Sequence, residues 1–526
     1  MTEPVDYIIV GSGFGGSVAA LRLAEKGYSV IVLEQGRRYR PSDFPKTNWN
    51  FRRFFWMPKI FFYGIQGMTL LKDVFILHGA GVGGGSLVYA NNLIIPPRDV
   101  FDQPGWGGPG WKERLNPHFT TAQRMLGATP SKEITPADEY LRDCAAEIGK
   151  GETFHINDVG VYFGEPDDTV PDPYFDGQGP DRTGCTMCGG CMVGCRVGAK
   201  NSLDLNYLYL AEQLGVQVIP ETRVVDVRPS ETGDYQVDTR RVTGLLSPRR
   251  TYRAGGVIFS GGTMGTVKLL MECASKGSLP GVSSQLGNFV RTNSEALVGV
   301  KARGHEVDYS QGIAITSGVY PDADTHIQTV RYKKGQDAMF LLSTVLTGGG
   351  KPWPRPLRWL GNIIRHPIVF LQSLWPFDRA TRSTILLVMQ KTNNWLRLDY
   401  KRRWWRLGGR SMNSNWHTDE PVPTYIPVAN DFARRMAEKV NGDPYSVLPE
   451  VLLDTSSTAH IMGGCIMADS PDQGVLDFTG RIHGYDNLYV VDGSMVPANL
   501  GVNPSLTITA LAEYVLAQFP EKGGVA

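Results

Sequence analysis

The chain has no run of about 20 uninterrupted apolar residues, the length a helix needs to cross a bilayer, so no transmembrane helix is expected. It has almost no charge imbalance: 53 Lys and Arg against 52 Asp and Glu leave a formal net charge of +1. Nucleic acid is therefore not an expected partner, because backbone binding needs a basic surface. Cysteine is sparse, 7 residues in 526, and without a secretory signal it does not suggest a disulfide framework. No charged leader, apolar segment and cleavage site come before the first strand-like run in MTEPVDYIIV, so a cytoplasmic location is the expectation. Internal repeats and low-complexity tracts are also lacking. The remaining composition, 42% hydrophobic and 20% charged, is that of an ordinary globular protein. The length exceeds what one hydrophobic core usually supports, so two domains are expected.

The stretch that organises the chain is DYIIVGSGFGGSVAALRLAEKGYSVIVLE, residues 6–34. Tyr7–Val10 reads as a buried strand, and Gly11, Gly13 and Gly16 follow in G-x-G-x-x-G spacing, with Phe14 and Gly15 completing the loop. A helical pattern then runs to Gly27, and a second buried strand, Ser29–Leu33, ends on Glu34. Gly11 permits the tight turn, Gly13 the approach of a pyrophosphate and Gly16 close helix–sheet packing; the helix N-terminus faces the phosphates. Glu34 is expected to accept hydrogen bonds from a ribose diol.

A second loop, HGAGVGGGSLVYANN, is richer in glycine than a structural turn needs. Gly79, Gly83, Gly84, Gly85, Ser86 and Asn91 are expected against a flat cofactor face, which suits a flavin better than a nicotinamide. Val225, in the strand expected over 223–227, is a further cofactor candidate. In the tail, His460 stands just before a Gly-Gly turn, and Asp492 and Gly493 follow the strand expected over 488–491. Asn503 and Pro504 are expected to open the final helix as N-cap and first helical residue, aiming its positive end at a reduced flavin. Taken alone, His460 also fits a satisfied core histidine and Asn503 an ordinary cap.

Cys185, Cys188, Cys191 and Cys195 fall in C-x2-C-x2-C-x3-C spacing, that of bacterial ferredoxins. An iron–sulfur cluster held by three or four thiolates, a zinc site, and no metal at all stay open as readings; Arg196 stands where ferredoxins carry Pro. Cys144, Cys273 and Cys465 are expected to pack as small apolar residues. The stretch 351–377 interleaves tryptophan and arginine. With Phe51–Phe62 it reads either as a packed lid or as a peripheral membrane contact that admits an apolar substrate. KRRWWR at 401–406 reads as a strand with solvated arginines.

The pattern implies a discontinuous architecture. Residues 1–105, 185–284 and 455–526 build a dinucleotide domain; 106–184 and 285–454 build a second domain with antiparallel strands such as 338–346 and 385–389.

VGSGFGGSVAALRLAEKGYSVIVLE, GAGVGGGSLVYAN and NLYVVDGSMVPANLGVNPSLTITALAE together resemble the glucose–methanol–choline (GMC) flavin oxidoreductases, and among these the cholesterol oxidase type with noncovalent FAD. The resemblance implies an α/β Rossmann-like FAD domain joined to an α+β substrate domain with an antiparallel sheet. It implies a His–Asn pair, here His460 and Asn503, with the His taking the hydroxyl proton of a bulky apolar, sterol-like alcohol while hydride passes to the flavin. Family members with covalent flavin use a His in the second glycine loop; residues 81–92 contain none, so FAD is expected to be noncovalent. Cholesterol oxidases also carry a Glu for double-bond isomerisation, and the only carboxylates in 311–346 are Asp322, Asp324 and Asp337. Two alternatives remain at this point: electron transfer through a cluster to a redox carrier, and an electron-transfer flavoprotein with no alcohol chemistry.

Overall fold

The computed structural model describes residues 4–244, 247–350, 352–403, 409–416 and 421–523. Its first sheet has seven strands. Val5–Val10 sits centrally between Val30–Leu33 and Arg249–Phe259, parallel to both. Gln217–Ile219 extends one edge in parallel, and the hairpin strands Tyr235–Arg241 and Thr222–Pro229 extend the other antiparallel. Leu488–Val490 returns from the far end of the chain to pair with Arg249–Phe259 in parallel. The central strands are buried on both faces, as their unbroken Val and Ile runs require. The helices Phe14–Glu25 and Ser505–Ala517 pack against each other, and Trp111–Met125 packs on the second of them.

The second sheet also has seven strands and is antiparallel throughout. Ala296–Ala302, Ser383–Gln390 and Thr325–Val330 form its middle. The helices Pro136–Glu147 and Pro427–Lys439 cover one face and share its core with Val298, Ile327 and Leu386. The architecture is thus the expected α/β nucleotide-binding half with an α+β half.

Several local expectations need correction. Trp111–Met125 falls in the segment assigned to the second domain, yet Trp111, Leu115 and Phe119 are buried in the first core. The helix expected over 201–214 is a short tight turn, Leu203–Leu205, and then Tyr207–Gln213. Residues 338–346, expected as one strand, begin with a 3-10 turn, Ala338–Leu342, before Ser343–Val345. Lys401 and Arg402 do end a strand, Leu396–Arg402, while Trp404–Arg406 lie outside the described residues.

A small third sheet matters most for function. Ser456–Thr458 runs parallel to Val74–Gly79, pairing Thr458 with Ile76. Both strands therefore end on the same side, one on the second glycine loop and the other two residues before His460.

Candidate active site

The two glycine loops are fastened to each other. A Cβ on Gly84 would lie 2.6 Å from the Gly13 Cα. The Ser12 hydroxyl donates to Glu34 Oε2 at 2.8 Å and receives the Gly83 N–H at 3.2 Å. Glu34 also accepts the Ser12 N–H at 3.1 Å and the Gly36 N–H at 2.7 Å. Glu34, expected on a ribose, thus has three hydrogen bonds within the loops; burial raises its carboxyl above the usual range, and the N–H and O–H donors act against that shift. Gly11 and Gly83 have φ of +104° and +102°, a region that strains any other residue.

The cradle fits a flat, phosphate-bearing cofactor. A Cβ on Gly16 would meet the Gly11 carbonyl at 2.2 Å and one on Gly15 the Val491 carbonyl at 1.8 Å, so these glycines serve close packing. A Cβ on Gly13 would meet nothing within 4 Å, and one on Gly85 only the Phe14 ring at 3.8 Å. On the side a Cβ would take, both positions are open. The buried Asn91 carboxamide has no N or O partner and sits beside the Cys191 thiol. Gly79 packs against Gly84, and the Ser86 hydroxyl binds the Gly83 carbonyl at 2.7 Å. Val225 stands at a bulge in its strand. Asp492 accepts N–H bonds from Gly262 and Ser494, each at 2.8 Å, so its carboxylate holds two turns together. Gly493 receives the Gly463 N–H on its carbonyl at 2.9 Å, tying this turn to the His460 loop.

His460 and Asn503 meet as expected: Asn503 Nδ2 lies 3.3 Å from His460 Nε2. Asn503 Oδ1 accepts from Asn92 Nδ2 at 3.2 Å, and Asn92 also donates to Gln328 Oε1 at 3.1 Å. Asn503 is not the helix cap, however. The helix starts at Ser505, Pro504 occupies the cap position, and no side chain caps it. The Asn503 carboxamide is drawn instead to His460 and Asn92.

The sequence reading missed Glu295. Its buried carboxylate accepts the Ala459 N–H at 2.8 Å and bonds His460 Nδ1 through its other oxygen. Backbone bonds between Arg291 and Met462 in both directions, at 2.8 and 2.9 Å, bring this segment alongside the His460 loop. Asn293 then pins the loop before Asn503, donating to the Val502 carbonyl at 3.0 Å and accepting the Gly501 N–H at 2.8 Å. The available signal was the polar run Thr292–Glu295 leading directly into a buried strand, a pattern that shows no spacing to a partner 165 residues away.

The cysteines do not gather into a metal site. Among the described residues no group of three or more His, Cys, Asp or Glu is placed to hold a metal ion. Cys185, Cys191 and Cys195 pack around Val159, Val161 and Ile313, and burial pushes the Cys185 thiol up to about 12. The loop and Lys200 after it are fastened to neighbouring backbone. Gly189 donates to the Gly312 carbonyl at 2.7 Å, and Lys200 donates to the carbonyls of Leu87, Tyr89 and Cys191 at 3.0, 2.9 and 2.9 Å. Burial pulls the Lys200 amine down to about 8. Cys144, Cys273 and Cys465 are buried and free, as expected.

The fold and the paired loops define a flavoprotein oxidoreductase. Family models described as GMC oxidoreductase match residues 179–289 and 392–512, and one described as an NAD(P)-binding Rossmann-like domain matches 9–42. The chain is 46% identical to a cholesterol oxidase of Acinetobacter baumannii, covering 98% of this chain and 94% of that one. It is also 46% identical to a cholesterol oxidase of Mycobacterium tuberculosis (strain ATCC 25618 / H37Rv), covering 99% and 92%. Among solved structures, pyridoxine 4-oxidase from Mesorbium loti superposes with a TM-score of 0.62 at 14% identity, over 99% of this chain and 100% of that one. The chain belongs to the GMC oxidoreductase family. It is an FAD-dependent oxidoreductase acting on alcohols, and the electron-carrier alternative without alcohol chemistry is set aside.

Proposed function

We propose that the protein oxidises a bulky apolar secondary alcohol of sterol type to the ketone, with His460 as proton acceptor. The observation that carries this reading is the chain of contacts Glu295–His460–Asn503. Glu295 accepts from Nδ1, which places the imidazole proton there and leaves the Nε2 lone pair facing the Asn503 carboxamide, where an entering alcohol takes its place. An alcohol hydroxyl beside Nε2 donates to it, and the Asn503 N–H is placed to hold the same oxygen as its proton leaves. Glu295 then faces the imidazolium and stabilises its charge, as a buried carboxylate behind a catalytic His does elsewhere. FAD, when bound along the backbones of Gly13 and Gly85 and beside Asn91, supplies the hydride acceptor. The residues 1–105, 185–284 and 455–526, joined by the helix Trp111–Met125, form the flavin side; the antiparallel sheet forms the substrate side. The two cholesterol oxidase relatives support a sterol as substrate. Export of electrons through an iron–sulfur cluster lacks a donor set among the described residues and is not part of the reading.

The test is anaerobic reduction of the bound flavin by a sterol in detergent, followed by absorbance, with mass spectrometry of the ketone. His460→Ala should slow reduction at least about a hundredfold with FAD retained. Glu295→Gln should slow it less and shift the pH profile of reduction. Reduction of the His460→Ala protein at the wild-type rate would sink the reading.

A further inference from the structure

Residues 338–377 contain no Asp or Glu, and neither do residues 44–72. The first stretch forms two helices, Arg355–Arg365 and Pro367–Ser373, which pack on each other. Their orientation is inverted relative to an ordinary surface helix. The polar groups point inward: Arg355 is buried and donates to the Thr347 carbonyl at 3.2 Å, Asn362 donates to the Leu346 carbonyl at 3.0 Å, and the Trp359 indole donates to Thr344 Oγ1 at 2.8 Å. The apolar side chains point outward. Leu357, Leu360 and Ile364 recur at helical spacing, Ile364 at 80% exposure, and Ile368, Leu371 and Trp375 continue the face, Trp375 at 65%.

The second stretch joins this face through aromatic rings. Trp375 packs on Phe377 at 5.3 Å, Phe377 stacks on Trp49 at 5.1 Å, and Trp49 meets Phe51 at 5.9 Å. Phe51, Ile60 and Phe61 are exposed, as are Arg52, Arg53, Lys59 and Arg365. A continuous apolar surface of this extent on a single chain marks an interaction site. Its fringe is cationic and its two sequences are free of acid, which selects an anionic partner. No helix among the described residues is long and apolar enough to span a membrane. Such a surface therefore lies on a bilayer, its isoleucines and tryptophans at the headgroup–acyl boundary and its Lys and Arg among the phosphates.

We infer that this face docks the enzyme on an anionic phospholipid bilayer. The surface is coupled to the site. Arg355, at the start of the first helix, lies 3.8 Å from Glu450, which accepts the Leu297 N–H at 2.9 Å, two residues beyond Glu295, the partner of His460. The purpose of the docking, loading an apolar alcohol directly from lipid, rests on the reading proposed above.

The experiment uses the full-length holoenzyme and extruded vesicles of phosphatidylcholine, with and without phosphatidylglycerol. The wild-type protein should sediment with the phosphatidylglycerol vesicles, less so at high salt, and brominated lipid should quench its tryptophan fluorescence. Ile364→Asp combined with Ile368→Asp should weaken binding at least about tenfold. Turnover of sterol in detergent should be unchanged by these substitutions, and turnover of sterol presented in vesicles should fall. Circular dichroism and FAD content show that the variant is folded; Arg365→Glu, a change at an exposed position, gives a second measure of the charge contribution. The inference is overturned if wild-type protein stays in the supernatant with the phosphatidylglycerol vesicles, or if the double variant binds as well as wild type. A dimer that the variant converts to monomer, with no vesicle binding by either, would assign the face to a second copy and overturn it too. Vesicle binding by a wild-type protein that cannot turn over sterol in detergent would support the surface and sink the substrate reading.

Discussion

The helices Ser505–Ala517 and Arg355–Arg365 are both rich in Leu, Ile and aromatic residues, yet they are placed in opposite ways. Ser505–Ala517 is enclosed: Leu506, Leu511, Val515 and Leu516 are buried, and its one carboxylate, Glu513, is buried against Arg22 at 2.7 Å and Tyr207 at 2.6 Å. Arg355–Arg365 holds the second domain with its polar atoms and leaves its apolar side chains in solvent. Amphipathicity tells which residues share a face, and only the partners of the polar groups tell which face turns in. Asn362 and Arg355 find carbonyl acceptors inside the protein, and that settles the orientation of the second helix.

The largest effect that would sharpen the contrast is expected at Arg355. Arg355→Met removes a buried cation beside a buried carboxylate, a change that costs about 3–5 kcal/mol when the remaining charge is stranded. Urea unfolding should show the full loss at pH 8 and a smaller loss at pH 5, where Glu450 carries a proton. An equal loss at both values would mean that Arg355 acts through its carbonyl bonds alone.

Next come matched truncations on the two helices. Leu511, 1% exposed, should cost about 2–5 kcal/mol as Leu511→Ala, the range for an apolar side chain deleted from a core. Ile364→Ala should stay within about 0.5 kcal/mol, as surface changes do. Similar costs at the two sites, read from urea midpoints, would break the comparison by showing that the outward face is covered in the protein.

The same contrast explains how much of the molecule was legible in its sequence. The dinucleotide half was readable because its chemistry is local: a strand, a glycine loop and a helix are contiguous, and each glycine answers to a backbone approach a few residues away. His460 and Asn503 were readable through the resemblance of the motifs around them. Asn503 as a cap was misread because a cap is a local bond, whereas its carboxamide bonds are long-range. Glu295 was not legible for the same reason, since its contact with His460 depends on the pairing of Arg291 with Met462 across the fold. The cysteine run left three readings open because its spacing is local, while its surroundings, Val159, Val161 and Ile313, come from elsewhere in the chain.

A smaller effect than the Leu511 truncation is expected at Glu450, and it tests whether the link from the outer helix reaches the site. Burial raises this carboxyl to about 7, against the opposing charge of Arg355, and Glu295 adds to the rise. A carboxyl whose folded value lies above its unfolded value of 4.5 binds more protons in the native state. Its contribution to stability is therefore fully present below 4.5 and is lost as pH rises through about 7. Glu450→Gln keeps an acceptor for the Leu297 N–H, which Oε1 receives at 2.9 Å, and removes the titration. The stability of the wild type relative to this variant should fall by roughly 1–3 kcal/mol between pH 4.5 and pH 7.5 and stay level above that. A constant difference across the window would mean that Glu450 is ionised throughout. Arg355 would then hold a full ion pair, and the outer helix would be joined to the Glu295–His460 pair by a fixed charge in place of a titrating one.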